Sequence, residues 1–356
     1  MWRNHCLMST INGYEIYIDW LKIGYYIPII NARVSMSKDY VSHTDLARFG
    51  DERVNLKRDD AVKLRSQANT LRDRLSAYLD EHPDFELKRL LLSGSLAKGT
   101  ALKSTSDIDV ACYVASDTAP QQIGELIDWL ATRLERAFPN FKPSQIERKT
   151  YSVAVHFIAT GNEVDIVPIL YDDDPQWRGD LISQNDGSRL MTSVPMHLEF
   201  IKRRKDAAPK HFAQVVRLAK YWASLQKQTD SDFRFKSFMI ELILAHLADN
   251  GMRLDDYIEA LSGFFTFLAG DGLAKIITFS DYYSPANCAS TSDPVRIWDP
   301  VNCENNVAKL YSPENRARIA DAALDAGDAV DSALRAITKT ETIRYWQKVF
   351  GPAFDV

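Results

Sequence analysis

The sequence predicts a mixed α/β (α+β) protein, with a small mixed sheet in its first half and a helical second half. Three observations carry that expectation. Four β-rich apolar runs, at 87–92, 107–114, 151–158 and 163–170, alternate with helical patterns and with a Thr160-Gly161-Asn162 turn. That order of helix, strand, short helix, strand, helix, strand, strand fits a sheet covered by helices. From about Pro195 the apolar spacing becomes that of helices, which puts the domain boundary at about 175–195.

Taken in order, residues 54–80 place Val62, Leu64, Leu71, Leu75 and Leu79 at helical spacing among charged neighbours, a long surface helix that stops before Pro83. Strand 87–92 runs into Gly94-Ser95, a turn that opens a short helix near 96–98. Strand 107–114 begins with Asp107 and Asp109, and an amphipathic helix over 121–138 ends at Pro139. Two strands meeting at Gly161 complete the sheet. Helices are expected at 209–227, 236–249, 254–269 and 313–348, with a polar loop rich in Asp, Pro and Asn at 298–308. Residues 1–35 read as an N-terminal extension, a disordered arm upstream of a natural-looking start at Met36. Residues 36–190 form one domain that includes the long helix, and residues 191–356 a helical domain.

The 356 residues are 46% hydrophobic and 26% charged with a net charge of −5, values of an ordinary globular chain rather than of a dedicated phosphate-neutralising surface. Four scattered cysteines, Cys6, Cys112, Cys288 and Cys303, show no zinc spacing and suit a reducing cytosol. No apolar run has the length of a membrane span.

The chemistry concentrates in L-L-S-G-S-L-A-K-G-T-A-L-K-S-T-S-D-I-D-V at 91–110. Asp107 and Asp109, two apart on a strand, share one face, and like charges that close ask for a cation between them. Asp165 lies between Val164 and Ile166 in a later strand, where an unpaired charge is costly. Three carboxylates make a hard oxygen site for Mg²⁺, with Mn²⁺ as a substitute, that leaves room for substrate phosphates. Gly94 and Ser95, at a strand-to-helix turn, offer backbone N–H groups and a hydroxyl to a polyphosphate, and a Cβ at 94 would obstruct the approach. A D-x-D pair alone is usually a solvated strand end. With Gly94-Ser95 separated by eleven residues from Asp107 and a third aspartate inside a strand, the set fits two-metal nucleotidyl transfer. Asp107 and Asp109 serve both ions, and Asp165 serves the ion that activates the attacking ribose hydroxyl.

The pattern L-S-G-S-L-A-K-G-T, D-I-D-V and V-D-I-V-P resembles the DNA polymerase β-like nucleotidyltransferases. The later stretches H-F-A-Q-V-V-R-L-A-K-Y-W (211–222), F-K-S-F-M-I-E-L-I-L-A-H-L (235–247), W-D-P-V-N-C-E-N-N-V-A (298–308) and Y-W-Q-K-V-F-G-P-A-F (345–354) are similar to the helical half of oligoadenylate synthases and of the bacterial CD-NTases. The resemblance runs from about Leu56 to Phe354. It implies a bilobal fold: a polymerase β-like nucleotidyltransferase lobe, a helical lobe, a central cleft, and helix 54–80 as the spine joining them. It also implies that Lys220 and Ser237, with Lys236 assisting, contact the donor triphosphate. Asn302, Asn305 and Asn306 would pack the loop beside the nucleotide pocket.

The expected activity is synthesis of a cyclic or short linear oligonucleotide from NTPs, ATP among them, with release of pyrophosphate in anti-phage signalling. Its expected partners are a protein activator and a downstream cyclic-nucleotide effector, with the enzyme itself a monomer in the cytoplasm. Without a zinc ribbon or long basic helix, activation by duplex nucleic acid is not expected. The rival readings are an RNA 3′-end nucleotidyltransferase, of CCA-adding or poly(A) type, and a silent nucleotide sensor. His156 and His246 are expected as satisfied core histidines, and Arg203-Arg204-Lys205 as a solvated charged face.

Overall fold

The computed structural model describes residues 9–11, 14–16, 40–82, 87–105, 107–183 and 187–356. Residues Met1–Ser37 form one unit, in which β1 (Ser9–Ile11) pairs antiparallel with β2 (Tyr14–Ile16). Beyond that hairpin, the expected N-terminal extension lies outside the described residues.

The second unit, Lys38–Val356, opens with α1 (His43–Phe49), capped by a reciprocal Ser42–Asp45 box. The long helix α2 (Arg58–Glu81) follows a π-helical turn at Gly50–Val54, so it starts four residues later than the periodicity suggests. It buries Leu64, Ala68, Leu71 and Leu75, whereas Val62 stays 55% exposed and is not part of the stripe.

The sheet is built from β3 (Leu87–Leu92), β4 (Asp107–Ala115), β5 (Ile146–Arg148), β6 (Val153–Phe157), β7 (Asn162–Tyr171), β8 (Gly179–Ile182) and β9 (Arg189–Thr192). The strand order is β3-β4-β7-β6-β5, with the β8–β9 hairpin joined to the far end of β7. Only β4 and β7 run parallel, a crossover that takes the chain through α4 (Ile123–Ala137). The short helix α3 (Gly94–Lys98) joins β3 to β4. Along β4 the even positions, Ile108, Val110, Cys112 and Val114, are buried in one core with Leu71, Leu75, Leu130 and Leu134 of α2 and α4. The odd positions run Asp107, Asp109, Ala111, Tyr113. They carry two acids at one end and, at the other, a small cluster with Ile169 and Tyr171. The core alternation thus decides which face holds the site.

The helical half consists of α5 (Val194–Ala207), α6 (His211–Thr229), α7 (Ser237–Asp249), α8 (Tyr257–Ala269), α9 (Pro313–Arg335) and α10 (Lys339–Phe350). The continuous helix expected over 313–348 is two helices: Ala336 turns extended, and Thr338 caps the second. The loop expected over 298–308 is a hairpin of β11 (Arg296–Asp299) and β12 (Asn302–Asn306), with β10 (Ile276–Ile277) alongside β11. Val41, Leu46, Phe49 and Val54 are buried with this half, among Trp222, Phe265, Phe350 and Phe354, although the sequence reading groups them with the sheet. Among the described residues no helix is long and apolar enough to cross a membrane.

Candidate active site

Parallel pairing of β4 with β7 sets Asp109 opposite Asp165 and Asp107 opposite Glu163. Paired residues of a ladder share a face, so the three expected carboxylates stand together with a fourth that the sequence reading missed. Asp109 is mostly buried. That burial, then the charges of Asp165 and Asp107, push its carboxyl above the usual range against the pull of Lys98 and Lys149. Gly94 approaches so closely that a Cβ there would lie 1.7 Å from Asp109 Oδ2, and its φ of +64° favours glycine independently. Ser93 N–H donates to the Asp109 carbonyl at 2.8 Å, which seats the turn on the strand.

Asp165 accepts hydrogen bonds from Ser152 Oγ at 3.1 Å and from Lys149 Nζ at 3.2 Å, and Lys149 also pairs with Glu163. His156 joins the same group, 3.0 Å from Glu147 and 3.2 Å from Glu163, so it is a half-exposed partner of two acids rather than a core histidine. Among the described residues no three acidic, His or Cys side chains close round one metal position, because Asp165 is turned to Lys149 and Ser152. The donor set still fits a divalent ion. It is all oxygen, burial and then the charges of Asp165 and Asp107 raise the Asp109 carboxyl above its usual range, and Lys149 stands as a cation beside Asp165 and Glu163. Lys149 and Ser152 could have been found only through strand register, since they stand on the turn into β6.

The helical half approaches the same place. A cavity of about 150 Å³ lies between Ser93, Gly94 and Lys98 on one side and Val194, His197, Leu198 and Phe238 on the other. The start of α5 is fixed by Tyr113, whose hydroxyl accepts from Val194 N–H at 3.0 Å, and by the Ser193 cap, whose Oγ donates to Gln176 O at 2.8 Å. Ser237 is the exposed first residue of α7, one position from Phe238 at the cavity wall. Lys236, just before it, is exposed; desolvation, then Arg234 and Lys309, lower its pKa, a setting that favours an anion nearby.

Lys220 is where the structure departs from expectation. It is only 4% exposed and points away from open solvent, its Nζ 2.5 Å from Glu241 Oε1 and 2.9 Å from Thr100 Oγ1. Burial lowers its pKa, opposed by Glu241 and aided by Lys98 and Arg217. Glu241 is shared with Lys98, 2.8 Å from Oε2, and also accepts from Thr100 Oγ1 at 2.6 Å. Burial pushes the Glu241 carboxyl up, but the two lysines outweigh this and hold it at about 2. The lysine that reaches the cavity is therefore Lys98.

Three successive carbonyls at the end of α3 each receive a cation from the helical half. Lys205 donates to Lys98 O at 3.0 Å, Arg217 to Gly99 O at 2.8 Å and Lys220 to Thr100 O at 3.4 Å. Unpaired carbonyls at a helix C-terminus favour such partners. Lys205 and Arg204 are accordingly not a solvated run: Arg204 is buried, forked onto Asp249 and Asp281. Of the three asparagines, Asn305 donates to Asp299 Oδ2 at 3.1 Å and Asn302 to Met191 O at 3.0 Å. Asn306 ties Asp293, Val295, Ile297 and Ala308 together, so all three hold the β11–β12 hairpin.

A nucleotidyltransferase domain family matches residues 72–176, which include the acidic strands and the Gly-Ser turn. A curated relative from Escherichia coli (strain MS 115-1), a cyclic AMP-AMP-AMP synthase, is 57% identical over 320 residues, 90% of this chain and 100% of the relative. Two solved structures superpose with a TM-score of 0.85. One is E. coli MS115-1 CdnC with ATP, 56% identical over 89% of this chain and all of that one. The other is the same enzyme in complex with a HORMA protein, 55% identical over 90% of this chain and all of that one.

Proposed function

The chain belongs to the CD-NTase family, nucleotidyltransferases that make cyclic oligonucleotides in CBASS signalling, and from that premise we propose that it joins ATP into a cyclic triadenylate. The observation that carries the chemistry is the pairing of Asp109 with Asp165 across β4 and β7, directly against Gly94. The choice of ATP, and a HORMA protein as binding partner, rest on the relatives that cover this chain at 55–57% identity.

Asp107, Asp109 and Asp165 hold the divalent ions, with Mg²⁺ the ion proposed and Mn²⁺ a substitute. Bound there, the ions lower the pKa of the attacking ribose hydroxyl and neutralise charge on the departing pyrophosphate. The chain's own residues do the positioning. Gly94 and Ser95 present backbone N–H groups and a hydroxyl to the triphosphate, Lys98 adds a point charge, and Lys236 and Ser237 meet it from the start of α7. The β-sheet half and the helical half act as the two lobes, with residues 41–54 counted with the helical one.

Incubating the protein with all four NTPs and Mg²⁺, then measuring products by mass spectrometry, tests the reading. The expected product is a phosphatase-resistant cyclic adenylate, absent from an Asp107→Ala/Asp109→Ala variant. Labelling of added tRNA alone would reject it in favour of an RNA 3′-end transferase, a reading not favoured by full-length similarity to a cyclic synthase. Unchanged turnover in the double variant would exclude catalysis at these carboxylates.

A further inference from the structure

His197 is the ionisable side chain of the cavity that the reaction scheme above leaves without a task. It stands on the first turns of α5, and its ring forms the wall with Ser93, Gly94, Lys98 and Phe238. Its orientation is fixed twice. Nε2 lies 2.7 Å from Asp299 Oδ1, and the ring meets Phe238 edge-on at 5.5 Å and 87°. Asp299 is itself buried and immobilised, accepting from Val301 N–H at 2.9 Å and Asn305 Nδ2 at 3.1 Å. A buried carboxylate at that distance takes its hydrogen bond from a ring N–H, which assigns the Nε2 proton to this pair. Among the described residues Nδ1 has no hydrogen-bond partner. A histidine so held, lining a cavity bounded by a glycine turn and a lysine, has the form of an oriented donor to an anion.

We infer that His197, oriented by Asp299, is a further ligand of the donor triphosphate, with both ring nitrogens as donors: Nε2–H to Asp299 and Nδ1–H to a phosphate oxygen. The inference rests on the assignment of the Ser93–Lys98 turn to the triphosphate. It explains why the β11–β12 hairpin is bonded so densely. Asn305 and Val301 hold Asp299, which holds His197, so the hairpin acts on the cavity through one ring. The charged and titratable groups facing the pair are Lys98 from α3, Asp299 itself from β11, and Tyr283, whose hydroxyl donates to Asp299 O at 2.7 Å.

Inorganic tripolyphosphate isolates this contact, because it has neither base nor ribose. Its binding to wild type, His197→Gln and His197→Lys is measured by calorimetry, with adenosine as a second ligand. His197→Gln is expected to weaken tripolyphosphate by about tenfold. Adenosine affinity should not change. His197→Lys should restore the tripolyphosphate affinity, a rescue by a cation that a merely structural histidine would not show. Equal tripolyphosphate binding by wild type and His197→Gln overturns the inference while leaving the turn's assignment intact. So does a loss confined to adenosine, or a lysine variant that binds tripolyphosphate as weakly as His197→Gln. If wild type binds no tripolyphosphate at all, the assignment of the turn fails, and the inference with it.

Discussion

At the scale of single residues, Gly94 is the most constrained position of the site. A methyl group there would overlap Asp109 Oδ2 at 1.7 Å, and φ of +64° costs any L-residue about 1–2 kcal/mol. Either the turn moves or the carboxylate does. Gly94→Ala should therefore lower kcat by about 100-fold or more, since a shift near 1 Å at a reacting centre has that effect. Steady-state kinetics beside a thermal melt checks it, and near wild-type kcat would show that the turn is not held to Asp109 as described. The need for glycine at 94 and the aspartates at 107, 109 and 165 was legible because each breaks a local rule: a turn inside apolar runs, or charges inside a strand. Lys149, Ser152, Glu163 and His197 were not. Each is an ordinary polar residue at an ordinary surface spacing, and only strand register or the docking of α5 gives it a neighbour.

At the scale of elements, α3 is held from behind by α5, α6 and α7, and the Glu241 carboxylate is the centre of that hold. It binds Lys98, Lys220 and Thr100 at once, so removing it strands two ammonium groups in a buried place. Glu241→Gln should destabilise the fold by about 3–5 kcal/mol, the usual cost of breaking a buried pair from one side. Chemical denaturation measures this, and a change under about 1 kcal/mol would mean that the ion pairs are dispensable. The sign with pH follows from the carboxyl lying at about 2, below its ordinary 4.5. The stabilisation is complete above about 4.5 and is lost as pH falls toward 2, and Glu241→Gln should lack that acid-limb loss. Lys220 was expected as a phosphate contact through the family resemblance of residues 211–222. What the linear pattern could not display is Glu241 one helix away, buried on α7 and 2.5 Å from that lysine. Helices α6 and α7 were visible as periodic stripes, but their mutual facing was not, and the same gap hid the split of 313–348 and the β11–β12 hairpin.

At the scale of the whole molecule, the carboxylate cluster couples metal binding to global stability. Asp109 lies above the usual carboxylate range because of its burial and then of Asp165 and Asp107. A raised folded-state pKa contributes stability that is complete below the unfolded value and is lost as pH rises through the folded one. In chelator, then, ionising Asp109 works against the fold. A divalent ion reverses that sign, since it binds the ionised cluster and must displace the proton to do so. Mg²⁺ at one hundred times its dissociation constant should add about 2.7 kcal/mol, and the gain should shrink as pH falls into the carboxylate range. Differential scanning fluorimetry across pH, in Mg²⁺ and in chelator, reads both effects. Asp109→Asn should abolish the Mg²⁺-dependent shift and flatten the chelator profile, while the acid loss due to Glu241 persists in both proteins. A Mg²⁺ shift that survives Asp109→Asn unchanged would move the ion to other residues. A shift that grows at low pH would mean that the ion does not compete with protons on these carboxylates.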